Sequence, residues 1–354
     1  MHVQSWNIYG GGFHFGEQGL GQEETSVVFH SDSLFAALIA ALAESEGRAA
    51  VETFIQPFLA GSPPFLITST FPIAGEVRFF PRPELRGGQA ENAPAAISSK
   101  KLKKVCFLSQ GAFSDLISGA ALSDIYQRGC LLQDGLALIN QSERSRLPKG
   151  IVENDAQIWQ REQRPRVTLG RAAQISAIYF TGRVSFAKDC GLWFGVRWLA
   201  DNPRVQSLLA RLLEQLSISG LGAERNSGFG NCQIEPGQEL ELPAPSSASW
   251  TTLSRYLPRE DETGCLGAPG AAYTLKRVGG WLSSPVRNGQ RRRTLNLLAE
   301  GSIFGPLERE SPGQILDVRP RYATDLDPLG HPVYRSGLAF PVGLGLPGEK
   351  EGRL

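Results

Sequence analysis

Cysteine is scarce in this 354-residue sequence, and its five copies, Cys106, Cys130, Cys190, Cys232 and Cys265, are scattered and odd in number. No two stand at metal-ligand spacing, so neither a disulfide framework nor a cysteine metal site is expected. No grouping of His, Cys and Asp has the spacing of a zinc site either. Charge of one sign is not in excess: 36 Lys and Arg stand against 35 Asp and Glu. Attraction of the whole molecule to a polyanion is thereby excluded, and any such site must be a local stripe. No apolar run approaches the ~20 residues of a membrane span. The opening Met1-His2-Val3-Gln4-Ser5-Trp6 lacks a basic end followed by an apolar stretch, so no secretory signal is read. The expectation is a cytoplasmic protein in a reducing setting, with no membrane contact, metal or cofactor.

What is present suffices for a sizeable core: 41% of the residues are hydrophobic. At ~150 residues per domain the length suggests two domains. Residues 3–9 read as a strand that runs into the glycine-rich stretch 10–16. A helix follows, with Ser31 or Asp32 placed to cap it, Leu34, Phe35, Leu38, Ile39 and Leu42 at helical spacing, and Gly47 as its stop. Residues 65–71 read as one further strand. From about 81 to 176 no period lasts, and a stretch this long must be an insertion with a structure or role of its own. Strand-like runs return at 178–180 and 192–199. Next, Asn202 is placed to cap a helix, Pro203 suits its first position, and Val205, Leu208, Leu209, Leu212, Leu213 and Leu216 line one face. A second glycine-rich loop, 220–230, leads to a strand near 232–234. Without the insertion the order is strand, helix, strand, strand, helix, strand, which is the ferredoxin-like order. Residues 235–249 read as a linker, and strand-like runs recur beyond it.

The loop Gly220-Leu221-Gly222-Ala223-Glu224-Arg225-Asn226-Ser227-Gly228-Phe229-Gly230 carries the most chemistry. Its glycines permit positive φ and close approach of a ligand to backbone N–H groups. Arg225, Asn226 and Ser227 offer donors to phosphate or sugar oxygens, and Phe229 is placed to stack on a base or to pack inward. The bland alternative is a tight turn between helix and strand. Its spacing is not that of a dinucleotide fingerprint, and no Gly-Lys-Ser/Thr ending supports a P-loop. Basic clusters lie at Arg161, Arg164, Arg166 and Arg171, at Arg287 and 291–293, and at Lys100, Lys101, Lys103 and Lys104. The lysine run is read as a solvated face, Trp281 as core, and His331 as part of a turn. His14 and His30 are the only candidates weighed for acid–base chemistry, and the sequence names no third group to orient either.

This loop resembles the glycine-rich loop of the RAMP superfamily of CRISPR proteins. Further segments resemble, within it, the fourth subunit of type III-A (Csm) effector complexes. They are Phe13-His14-Phe15-Gly16-Glu17, His30-Ser31-Asp32-Ser33-Leu34-Phe35, Lys276-Arg277-Val278-Gly279-Gly280-Trp281, Ala299-Glu300-Gly301-Ser302 and Gly330-His331-Pro332-Val333-Tyr334-Arg335. The resemblance spans nearly the whole chain in order. It implies an α+β fold of two ferredoxin-like (RRM-like) domains, 1–240 and 245–354, with a β-hairpin thumb inserted in the first. It also implies an RNA-binding subunit that holds the 5′ tag of the CRISPR RNA. The implied neighbours are the large polymerase-like subunit and the backbone RAMP subunit, with target RNA nearby through the guide. The expected RNA contacts are Gly220, Gly222, Arg225, Asn226, Ser227, Gly228 and Phe229 in the loop, and His30 and Ser31 before the first helix. Arg164, Arg166, Thr168, Leu169 and Arg171 join them at the thumb, with its tip at 167–170. No catalysis is expected. The alternative is a metal-independent endoribonuclease that processes repeat RNA.

Overall fold

The computed structural model describes residues 1–16, 24–84, 99–154, 156–169, 176–245, 249–282, 289–306, 309–322 and 329–345. Among the described residues strand β1 (His2–Gly10) belongs to a ten-stranded mixed sheet, near one end of its strand order, with Val3, Trp6 and Ile8 buried. Helix α1 (Ser31–Glu46) buries Leu34, Phe35, Leu38 and Leu42, as its 3.6-residue repeat predicts. Its N-cap is His30, which makes no side-chain capping bond; Ser31 and Asp32, expected as caps, are turned to other partners. Gly47, at φ +82°, stops α1 and opens a second helix, α2 (Arg48–Leu59), which the sequence reading missed. Its buried residues Phe54, Ile55 and Phe58 come late in the helix, and Pro57 interrupts its pattern.

The single strand expected at 65–71 is two: β2 (Phe65–Ile67) and β3 (Phe71–Ala74). Between them Thr68, Ser69 and Thr70 leave the ladder, because their hydroxyls accept N–H groups from elsewhere. Thr68 takes Gly195 N at 2.9 Å, Ser69 takes Ser31 N at 2.8 Å, and Thr70 takes Phe29 N at 2.8 Å. Strand β4 (Val77–Pro81) then leads into the insertion.

The insertion is built of short pieces, which is why no period survives in it. They are α3 (Ser99–Lys104), β5 (Phe107–Ser109), α4 (Gln110–Ile117), α5 (Leu122–Arg128), β6 (Gly129–Leu132), β7 (Ala137–Asn140) and α6 (Lys149–Asn154). Its strands extend the main sheet outward from β4 in the order β4-β5-β7-β6. In α3, Leu102 is buried while Lys100, Lys101, Lys103 and Lys104 are exposed. A long hairpin follows, β8 (Trp159–Leu169) against β9 (Ser176–Phe186), paired over eleven residues. Residues 178–180, read as strand-like, are strand and belong to this hairpin; the strand that rejoins the main sheet is β10 (Cys190–Trp198).

Helix α7 (Pro203–Ser219) is capped as predicted, with Asn202 Oδ1 accepting from Val205 N at 3.3 Å, and it ends at Gly220. It hands the chain to β11 (Cys232–Pro236). The sheet runs β11-β1-β10-β3, with β2 also on β10, and these neighbours are all antiparallel. The stretch read as a linker is partly strand: β12 (Leu240–Glu241) pairs with His2 and Val3, and Leu240 and Leu242 are buried.

Beyond it come β13 (Trp250–Thr252), β14 (Leu275–Val278), β15 (Leu295–Leu298), β16 (Ile303–Phe304), β17 (Ile315–Asp317), β18 (Tyr334–Ser336) and β19 (Pro341–Gly343). They form small sheets, β16-β13-β19, β14-β15 and β17-β18. A separate apolar cluster of Trp250, Tyr256, Leu298, Phe304 and Ala339 sits here, while Leu253, Phe340 and Val342 join the main core. All five cysteines are free; burial pushes the Cys190 thiol up to about 12 and Cys232 up to about 11, which keeps both protonated. Among the described residues no helix is long and apolar enough to cross a membrane.

Candidate nucleic-acid interface

Three segments far apart in sequence converge where β1 ends. Phe13 pairs with Val184 of β9, exchanging backbone hydrogen bonds of 2.8 and 2.9 Å. His14 Nδ1 lies 2.8 Å from the Gly182 carbonyl. The glycine-rich loop is then sewn to the same stretch: Gly230 N donates to Gly12 O at 2.9 Å and Ala223 N donates to His14 O at 3.0 Å. Gly222, at φ +86°, is required by this seam, since a Cβ there would stand 2.5 Å from His14 O. Its close approach is therefore to the protein's own backbone. Gly228, at φ +83°, is the opposite case, with nothing within 4 Å of where a Cβ would be.

The side chains brought together are mostly cationic. Phe229, 8% exposed, is neither a free stacking platform nor ordinary core: the Arg166 and Arg183 guanidinium carbons lie 5.0 and 5.9 Å from its ring centre. Arg166 Nη2 donates to the Ser227 carbonyl at 3.0 Å, tying the hairpin to the loop. Strand pairing sets Glu162 opposite Arg183, and Glu162 Oε1 accepts from Arg183 at 2.6 Å and from Arg164 at 2.9 Å. The hydrogen bond from Arg183 is the chief reason the Glu162 carboxyl is held below its ordinary range. Among the described residues, Glu162 thus shares this side of the hairpin with Arg164, Arg166 and Arg183. By alternation the other side carries Pro165, Val167, Ile178 and Phe180; the last three are 57, 70 and 42% exposed. Arg225, Asn226, Ser227 and Gly228 are exposed at the loop tip. The backbones of Thr168 and Leu169 pair with Ala177 and Ser176, whereas Arg171 and the expected tip beyond Leu169 lie outside the described residues. The sequence reading missed Arg183; its signal was available only as cross-strand register with Glu162.

His30 and Ser31 are not part of this assembly. They sit at a buried joint between the first half of the chain and the second. His30 Nδ1 lies 2.7 Å from Glu300 Oε1, and Arg255 Nη2 lies 2.9 Å from His30 Nε2. Arg255 Nε also lies 3.2 Å from His30 Nδ1, so the carboxylate and the guanidinium together engage both ring nitrogens. Arg255 also pairs with Glu300 at 3.1 Å, and the Ser69 hydroxyl donates to Glu300 at 2.5 Å. Ser31, 2% exposed, accepts from Arg255 N at 2.9 Å, and Asp32 pairs with Arg335 at 3.4 Å. Burial alone would raise the Glu300 carboxyl; His30, Arg255 and the Ser69 hydroxyl outweigh it and hold it far below the ordinary value. Both histidines therefore have an orienting partner that the sequence did not reveal, Gly182 O for His14 and Glu300 for His30.

Trp281, read as core, is 54% exposed, with Arg291 4.7 Å from its ring centre. Arg291 is exposed and Arg292 is buried, and both precede strand β15.

Residues 246–344 match the family described as the CRISPR Csm4 C-terminal domain. The chain is 27% identical over 325 residues to a CRISPR system Cms protein Csm4 of Thermococcus onnurineus, covering 90% of this chain and 92% of the relative. It is 28% identical over 345 residues to a Csm4 protein of Mycobacterium tuberculosis, covering 94% of each. Among solved structures it is similar to a chain of a Csm3-Csm4 subcomplex in a type III-A CRISPR-Cas interference complex, with TM-score 0.63, 16% identity and coverage of 96 and 98%. A chain of a Csm1-Csm4 cassette gives TM-score 0.59, 21% identity and coverage of 98 and 99%.

Proposed function

We propose that the chain is a Csm4 protein, as its matches to that family and its relatives support, and that it is a non-catalytic subunit of a type III-A CRISPR effector. Its task is to hold the 5′ tag of the CRISPR RNA where the glycine-rich loop meets the base of the β8–β9 hairpin. The observation that carries this reading is the convergence of Arg166 and Arg183 on Phe229 of the loop, with Arg164 beside them on the carboxylate of Glu162. A neutral protein binds a polyanion through a local stripe of this kind. Arg164, Arg166 and Arg225 reach the phosphates, Asn226 and Ser227 donate to backbone oxygens, and the exposed face of Val167, Ile178 and Phe180 lies against unstacked bases.

The antiparallel order β11-β1-β10-β2, with α1 and α7 as the intervening helices, supports a ferredoxin-like reading of residues 1–240. For residues 245–354 the ferredoxin-like reading rests on the family; the described residues there form strands and a 3₁₀ turn, Glu260–Leu266. Its partners in this reading are the large subunit, packed in part on this second unit, and the backbone subunit, which the similarity to chains of a Csm1-Csm4 cassette and a Csm3-Csm4 subcomplex supports. The setting is the cytoplasm. His30 is not a general base in this scheme, because both ring nitrogens are engaged, by Glu300 and Arg255.

Titrating labelled tag-containing repeat RNA with the full chain, with and without chelator, tests the proposal. Saturable binding with the RNA left intact is expected, and His14→Ala should change neither. Specific cleavage that disappears in His14→Ala would instead establish the endoribonuclease.

A further inference from the structure

Between Glu262 and Glu300 the sequence holds six Lys and Arg and no Asp or Glu, in a chain of formal net charge +1. The described part of this stretch folds back on itself as a two-stranded ribbon, β14 against β15, outside the larger sheets. The ribbon carries three open apolar side chains: Tyr273, Leu275 and Trp281 are 42, 58 and 54% exposed. Lys276, Arg277 and Arg291 are exposed among them. Among the described residues no carboxylate forms an ion pair with any of these three cations.

The backbone explains how rings and cations come to share one surface. Val278 pairs with Leu295, and Trp281 pairs with Arg291. Between these pairs Gly279 and Gly280 face three residues, Arg292, Arg293 and Thr294, so the second strand carries a one-residue bulge. There Arg292 turns inward, its Nη2 donating to Gly279 O at 2.5 Å, and Arg293 N leaves the ribbon for Val318 O at 2.9 Å. Arg291 stays outside, 4.7 Å from the Trp281 ring centre. Tyr273 is backed in a similar way, its ring stacked on Phe304 at 6.4 Å and 17°. Each ring is therefore steadied by one neighbour and keeps much of its surface open beside uncompensated cations.

We propose that this ribbon is a second contact for single-stranded RNA, in which bases stack on Trp281 and Tyr273 and phosphates meet Lys276, Arg277 and Arg291. A single strand uses both halves of the surface. Every base has a π face for an anchored ring, and the phosphates between bases supply the anions that the ribbon lacks. A duplex keeps its bases stacked on one another and leaves the rings unused. The contact shares no residue with the interface at the glycine-rich loop, so it stands whether or not that interface holds the tag.

Ultraviolet crosslinking of the full chain to oligouridylate, a probe without the tag, followed by mass spectrometry of the peptides, tests this. An adduct on Tyr273 or Trp281 is expected. It should persist in a chain with Arg164→Gln and Arg166→Gln, which separates a failure here from a failure of the tag interface. In that background Trp281→Ala should weaken oligouridylate about tenfold or more, and Trp281→Phe should restore most of the loss. The melting temperature should hold, because the Trp281 side chain is half exposed. Arg277→Gln together with Arg291→Gln should lower the slope of log affinity against log salt by about 1.4, at ~0.7 per contact. No adduct on the ribbon of the wild-type chain, or Trp281→Ala binding oligouridylate as tightly as its parent, would overturn the proposal. If that same variant lost a subunit from the assembled effector, the ribbon would be a docking surface for an acidic protein instead.

Discussion

The interface around Phe229 and the joint around Glu300 are both built on arginine, and they use it in opposite ways. At the interface Arg164 is half exposed, its ion pair with Glu162 is wet, and backbone seams hold the geometry. Exposed pairs of this kind contribute ~0–1 kcal/mol, so these arginines lie there at little cost to the fold and remain available to a polyanion. At the joint the Arg255 and Glu300 side chains are 2 and 8% exposed, and the contact spans 45 residues of chain. There the charges satisfy one another completely or penalise the fold. The comparison teaches that removing a charge should cost binding at the first region and stability at the second.

The largest effect should come from Glu300→Ala, which leaves Arg255 buried beside His30. A loss of ~3–5 kcal/mol in denaturant unfolding is expected, as when one partner of a buried pair is removed. Tag affinity in the folded fraction should be near normal, and a weakened affinity there would merge the two regions the comparison separates. Acid sharpens the same point. The folded-state pKa of Glu300 lies below its unfolded value of 4.5. Its contribution is therefore present above pH 4.5 and is lost as pH falls from there through the folded value. The wild-type chain should lose stability in that window, and Glu300→Gln should show a smaller loss there by equilibrium unfolding.

The two loop glycines differ by location. Gly222→Ala drives a Cβ into the His14 carbonyl, so it should cost more than Gly228→Ala, which pays only for positive φ at ~1–2 kcal/mol. Thermal melts of both variants check the order, and equal costs would mean the seam at His14 O is not tight. Smaller still, Phe229→Leu keeps an apolar filler and removes the ring that Arg166 and Arg183 face. A loss of ~1–2 kcal/mol is expected, read as weaker RNA binding with little change in melting temperature. The reverse pattern would make Phe229 core.

How far these regions were legible in the sequence follows from their physics. Helices α1 and α7 announce themselves because Leu34, Phe35, Leu38 and Leu42, and Leu209, Leu212, Leu213 and Leu216, repeat on one face. The break between β2 and β3 was hidden because Thr68 and Thr70 favour strands locally, and only distant N–H groups draw them out of the ladder. The glycine-rich loop was legible as a site from composition, but the role of Gly222 was not, since it depends on contact with His14. Arg183 and Glu300 were invisible as partners because hairpin register selects the first and a contact across 270 residues selects the second. Trp281 was misplaced because an aromatic after two glycines reads as core unless the cation stacked on it is known.

The claim at the centre of this account is that the hairpin arginines meet RNA phosphates, and the salt dependence of tag binding tests it most directly. Each single-strand phosphate contact contributes ~0.7 to the slope of log affinity against log salt. Replacing Arg164 and Arg166 together with glutamine should therefore lower that slope by about 1.4, with the melting temperature nearly unchanged. An unchanged slope in the folded double variant would contradict it and assign these arginines to the protein's own contacts.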